Sequence, residues 1–152
     1  MVPKENDNLT SLTYSMLTTS FTINAYGPVL LTQALLPNIL AAPPNSRTIA
    51  VMSSRVGSIA DNTSGGYLSY RASKTAVNSF FKTIALDLRE KGVVVSMLHP
   101  GFTNTNLDPD IGKIKGVVEP AEAAGKLWAL LKTIDMERTG RFWHREGNEL
   151  LW

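Results

Sequence analysis

Apolar and polar positions alternate along the chain in long and short blocks. Residues 9–26 read as a helix opened by Asn8 or Thr10, continuing through Val29 to Leu40. Apolar positions surround its second part rather than forming one stripe, so both sides of that helix are expected to be covered. Pro43-Pro44-Asn45-Ser46 ends it. The run Arg47-Thr48-Ile49-Ala50-Val51-Met52 is short and nearly continuous in apolar residues, the pattern of a strand buried in a parallel sheet. A Gly-, Ser-, Asn- and Asp-rich loop follows over 55–67. A helix then covers about Leu68 to Glu90, with Val77, Phe80, Phe81, Ile84 and Leu88 at buried spacing and Gly92 as its stop. Val93 to Leu98 is a second strand and 102–118 a mobile loop. Ala121 to Ile134 is a helix with Pro120 at its first position, and Phe142-Trp143 lies in a third strand. Helix and strand alternate without repeats or a linker, which predicts a single α/β domain with a parallel sheet of about three strands and flanking helices.

Composition narrows the function classes. The 152 residues are 43% apolar and 18% charged, as in a soluble globular domain. A net charge of +2, with Lys and Arg dispersed, gives no footprint for nucleic acid. The most apolar stretch, Val29 to Ala42, is interrupted by Thr32, Gln33, Pro37 and Asn38, so no membrane span is expected. There is no cysteine, which excludes a disulfide framework and thiolate metal sites and fits a reducing, cytoplasmic setting. No metal-ligand spacing, phosphate loop or nucleophile elbow occurs; Gly57-Ser58-Ile59-Ala60 fails the last of these at its final position. His99 and His144 read as structural.

The chemistry concentrates at Ser69-Tyr70-Arg71-Ala72-Ser73-Lys74. On a helix, Tyr70 and Lys74 stand one turn apart on one face. A phenol titrates near 10, and an ammonium beside it favours the phenolate and lowers that value. A hydroxyl from Ser54, at the carboxyl end of the first strand, could hold a substrate oxygen next to the phenol. Ser53 and Ser58 are alternatives for that role. Such a set moves a proton to or from a carbonyl or alcohol and needs a hydride carrier to complete the reaction. Pro28 deprives the Asn24 carbonyl of its partner four residues on, so a kink is expected there.

These residues carry a resemblance. Asn24-Ala25-Tyr26-Gly27-Pro28, Ser53-Ser54, Tyr70-Arg71-Ala72-Ser73-Lys74, His99-Pro100-Gly101 with Thr105, and Thr139-Gly140-Arg141-Phe142-Trp143 with Gly147 and Trp152 occur in one order. That order is similar to the short-chain dehydrogenases/reductases, nearest to their small carbonyl reductases of the C-factor-like group. The resemblance implies an incomplete Rossmann-type three-layer fold, the C-terminal half of a doubly wound parallel sheet. It also implies an NAD(P)(H)-dependent oxidoreductase that interconverts a carbonyl and an alcohol. Tyr70 would donate the proton, Ser54 would orient the substrate oxygen, and Lys74 would lower the tyrosine pKa and bind the nicotinamide ribose. The Asn24 backbone would hold a water leading to Lys74. Pro100 and Gly101 would lie against the nicotinamide ring and Thr105 would bond its carboxamide or phosphate. NADP or NAD would serve, with NADPH favoured weakly, and no metal is implied.

Two features depart from the family pattern. The gap from Ser54 to Tyr70 is a few residues longer than usual. The Gly-rich turn that grips a pyrophosphate has no counterpart, so the chain is expected to be the catalytic half of a domain without its cofactor-holding half. A non-catalytic remnant that dimerises with an intact relative is the competing expectation. The implied homo-oligomer or dimer would form through the helices at 29–40 and 68–90, beside a small-molecule carbonyl or alcohol substrate.

Overall fold

In the computed structural model, which describes residues 5–107 and 111–152, three parallel strands form one sheet in the order β1 (Thr48–Met52), β2 (Val94–His99), β3 (Arg141–His144). Ile49 pairs with Val95, Met52 with Leu98 and His99 with His144. All three strands therefore deliver their carboxyl ends to the same side of the sheet: Ser53-Ser54, Pro100-Gly101 and Arg145. Among the described residues the outer edge of β1 carries no strand.

Side-chain alternation along the strands divides the core between two faces. On one face Ile49, Val51, Val95, Met97 and Phe142 pack against Val77, Phe81, Ala85 and Leu88 of α3 (Leu68–Asp87). On the other, Leu98 and Trp143 meet Leu127 and Leu130 of α4 (Pro120–Leu131), with Ile134 just beyond it. Sheet and helices thus make three layers. Phe80, expected in the core, is 40% exposed. The spacing of Val77, Phe81, Ala85 and Leu88 places the buried stripe on one side of it.

The N-terminal helical arm differs from expectation in two places. It begins at α1 (Tyr14–Phe21), where the Thr13 hydroxyl accepts from the Met16 N–H at 3.2 Å. Asn8 and Thr10 bond each other in a preceding turn instead. Where a kink was expected ahead of Pro28, the helix has a widened π-helical turn over Thr22–Tyr26, closed by the Gly27 N–H on the Thr22 carbonyl. The chain then runs on into α2 (Gly27–Ala41) as helix. A π-turn lengthens the hydrogen-bonding step to five residues and so accommodates a position that cannot donate. Val29, Leu36, Ile39 and Leu40 of α2 pack on the core, while Leu30, Leu31 and Leu35 are exposed, so among the described residues one side of this helix is covered and the other is not.

Candidate active site

The local sequence explains why a serine meets a tyrosine at the top of β1. After Met52 the chain leaves the sheet through Ser53, whose N–H still donates to the Leu98 carbonyl at 2.7 Å and whose hydroxyl donates to Asn78 Oδ1 at 2.5 Å. Ser53 is thereby turned into the protein. Ser58 is buried too, its oxygen accepting from the Asp61 N–H. Ser54 is half-buried, its oxygen accepts from the Val56 N–H at 3.4 Å, and it is the serine whose hydroxyl is near enough to the Tyr70 phenol to favour the phenolate. A short 3-10 turn over Arg55–Gly57 then lays the backbone against α3. Gly57 is obligatory there, because a Cβ would come within 2.8 Å of Lys74 Cβ and 2.7 Å of its carbonyl carbon.

The helix bearing Tyr70 and Lys74 starts on Tyr67, which has a positive φ of 51° and makes no side-chain cap. The missing cap comes from far away in sequence. The fully buried Asp7 accepts from the Ser69 N–H at 2.7 Å and the Tyr70 N–H at 3.2 Å. Its backbone carbonyl takes the Leu68 N–H at 3.2 Å. A carboxylate on these donors satisfies orphan groups of the first turn and complements the helix dipole. The Ser20 and Ser69 hydroxyls bond at 2.9 Å beside it. Asn24 is joined to the same turn, its amide donating to Ser73 Oγ at 3.0 Å while Ser73 donates to the Tyr70 carbonyl. The longer loop before α3 is gathered by Arg71, which donates to the carbonyls of Val56, Gly65 and Gly66 and to the Ser64 hydroxyl. The residues of this loop from Asn62 to Gly66 lie on the surface.

Lys74 and Tyr70 share one face of α3, with the ammonium nitrogen 5.8 Å from the phenol ring centroid. That ammonium donates to the Met52 carbonyl at 3.0 Å, so its bond goes to the end of β1 and not to the phenol. Burial holds the Lys74 pKa below its ordinary value. Burial likewise pushes the Tyr70 phenol above its ordinary value, offset in part by the Ser54 hydrogen bond. The lowering expected from an adjacent ammonium is not among the influences on the phenol in this structure, where burial dominates and only the Ser54 hydroxyl opposes it. Here the phenol holds its proton at neutral pH, the form that a donor requires.

A cavity of about 360 Å³ opens beside the phenol, lined by Met16, Thr19, Ile23, Asn24, Tyr70 and Leu107 among others. Asn24 and Tyr70 thus share a cavity, with Ser54 against the phenol and Lys74 a turn away. Pro100 and Gly101 stand at the end of β2, where Gly101 has φ 69°. Thr105 lies on the exposed loop with its hydroxyl accepting from the Leu107 N–H, two residues from the cavity wall. Part of that loop, 108–110, is outside the described residues; Thr103 and Val118 pair at its base. His99 is packed against His144, with ring centroids 5.3 Å apart. Its pKa is lowered to about 3, mainly by burial, then by the charges of His144, Arg55 and Arg145.

The short chain dehydrogenase family model matches residues 4–115. The chain belongs to the short-chain dehydrogenases. It is 34% identical to the "C-signal" of Myxococcus xanthus, over 91% of this chain and 80% of that protein. It is 36% identical to 1-hydroxy-2-glutathionyl-2-methyl-3-butene dehydrogenase of Rhodococcus sp. strain AD45, over 96% of this chain but 63% of that one. Among solved structures, NADPH-bound carbonyl reductase from chicken fatty liver superposes with a TM-score of 0.84 at 28% identity, over 97% of this chain and 61% of that one. Sniffer carbonyl reductase of Drosophila melanogaster gives the same TM-score at 26% identity, over 95% and 60%. The dehydrogenase chain described here thus spans less than two thirds of the length of these two reductases. Its family is one of NAD(P)-dependent oxidoreductases, and it has the α/β Rossmann-like fold that the family shares.

The donors present suit the nicotinamide end of such a cofactor. A lysine ammonium and a serine hydroxyl near the end of β1, and a Pro-Gly turn at the end of β2, can meet ribose hydroxyls and a flat ring. A glycine-rich turn opening a helix toward a pyrophosphate does not occur among the described residues. Sequence reasoning missed Asp7, Gly57 and the Met52 carbonyl. The first had only its residue type as a signal, because its partners are 62 and 63 positions away.

Proposed function

We propose that this chain carries the catalytic half of a reductase that interconverts a carbonyl and an alcohol with NADP or NAD, NADPH being favoured weakly. The observation that carries the reading is the half-buried Tyr70 phenol, which lines a cavity of about 360 Å³ with the Lys74 ammonium 5.8 Å from its ring centroid. In the reductive direction Ser54 orients the substrate oxygen and Tyr70 gives it a proton; in the oxidative direction the phenolate takes the proton back. The bound nicotinamide supplies the hydride. Lys74 would hold its ribose, Pro100 and Gly101 would face its ring, and Thr105 would bond its carboxamide or phosphate. Asn24 supports the turn that carries Tyr70 through Ser73. Met16, Ile23 and Leu107 on the cavity wall favour an apolar carbonyl substrate. Titrating NADPH fluorescence against the purified chain tests the proposal: saturable binding supports it, and no binding refutes it for the chain alone.

A second reading is favoured by a different observation. Leu30, Leu31 and Leu35 of α2 and Phe80 and Leu86 of α3 are exposed, and β1 keeps an open edge. A non-catalytic chain that pairs through the helices at 29–40 and 68–90, with its own copy or with an intact relative, would cover them. A dimer by light scattering together with absent NADPH binding supports this reading over the first.

A further inference from the structure

One side chain ties the loop between β2 and α4 to the rest of the protein. Arg145 follows β3 directly, and its N–H donates to the His99 carbonyl at 3.0 Å, extending the strand pairing by one residue. Its side chain is 8% exposed, and its guanidinium turns into the loop. Nη1 donates to the carbonyls of Pro100 at 2.6 Å and Phe102 at 3.0 Å, and Nη2 to that of Gly116 at 3.3 Å. Nε donates to Glu146 at 3.2 Å, on the carboxylate oxygen that also takes the Lys126 ammonium of α4. The three carbonyls belong to the departure of the loop from β2 and to its return toward α4. Only a planar fork with donors in fixed directions can hold both ends at once; an ammonium is a point charge.

The backbone is built around this contact. A Cβ on Gly101 would lie 2.6 Å from Arg145 Nη1, so the glycine lets the guanidinium reach the carbonyls on either side. The loop stem is zipped beside it by the Val118 N–H on the Phe102 carbonyl and the Asn104 N–H on the Val118 carbonyl. We infer that Arg145 is a positioning residue: its guanidinium sets the Pro100–Phe102 turn and closes the base of the loop that carries Thr105 and puts Leu107 on the Tyr70 cavity. The consequence for cofactor binding rests on the function proposed above; the clamp itself does not.

The test uses the full chain with Arg145→Met and Arg145→Lys, read by hydrogen exchange and by NADPH titration. Losing a charged donor shared by three carbonyls raises exchange across residues 102–107 and 111–118 at least about tenfold in the Met variant, with α3 unchanged and the Lys variant intermediate. NADPH affinity falls at least about tenfold in parallel, by the same loss of order. Unchanged loop exchange overturns the inference, and so does a rise of equal size in α3. A loosened loop with undiminished affinity also overturns it where the wild type binds. Where the wild-type chain binds no NADPH, the functional reading fails, and the exchange data alone decide the clamp.

Discussion

Replacing Asp7 by alanine tests whether the helix that aims Tyr70 and Lys74 depends on a residue more than sixty positions away. The substitution removes both acceptors from the Ser69 and Tyr70 N–H groups, which the structure bonds at 2.7 and 3.2 Å. An N-cap acid replaced by alanine costs about 0.5–2 kcal/mol in exposed settings. Here the carboxylate is fully buried, and a stranded buried donor adds about 1–3 kcal/mol. Local fraying of the first turn recovers part of this, since Leu68 keeps its bond to the Asp7 backbone carbonyl. The net expectation is about 2–4 kcal/mol, or a fall in Tm of about 5–15 °C for a domain of this size. Asp7→Asn retains one neutral acceptor and should lose about half as much. Circular-dichroism melts of the three proteins, with hydrogen exchange at residues 68–72, give the answer. An Asp7→Ala protein melting within about 2 °C of wild type refutes the cap, as does Asn melting below Ala.

Tyr70→Phe removes the phenol proton while keeping the ring, so reductive turnover in an active form should drop at least about a hundredfold with cofactor affinity nearly unchanged. Because burial raises that phenol's pKa, the reductive rate in the wild type should hold through neutral pH and decline only as the pH climbs past the ordinary phenol value of about 10. His99 titrates near 3 in the native chain and near 6.5 when unfolded, so the unfolded state binds the extra proton between these values and stability falls as pH drops through that window. Between about pH 6.5 and pH 4.5 the loss is about 2–3 kcal/mol, and urea midpoints of His99→Gln should lose that much less than wild type. Gly101→Ala forces a side chain into φ 69° and against the Arg145 guanidinium. It should cost about 2–4 kcal/mol, and a urea midpoint equal to wild type would show that the turn is free to shift.

Much of the architecture was legible because burial imposes a local pattern. The two apolar runs at Ile49 and Val95 form parallel strands as their pattern predicts, although only β2 is buried on both faces and β1 leaves Thr48, Ala50 and Met52 exposed. Tyr70 and Lys74 share a face wherever residues 68–87 form a helix. The choice among Ser53, Ser54 and Ser58 was not legible. It turns on which hydroxyls the fold engages elsewhere: Ser53 is tied to Asn78 and Ser58 to Asp61, contacts made only after the chain leaves β1. Nor could local pattern foresee that Phe80 faces outward or that a π-turn stands just before Pro28.

By itself, then, the sequence determined the order of helices and strands, the tyrosine–lysine pair and the family, since each is written in neighbouring residues. Tertiary structure alone decided three things: the carboxylate that caps α3, the direction of the Tyr70 pKa, and the guanidinium that gathers the loop after β2. The first and third join groups far apart in the chain, and the second is set by how much water the fold removes from around the phenol. Spacing along a sequence carries neither long-range contact nor burial, and packing supplies both.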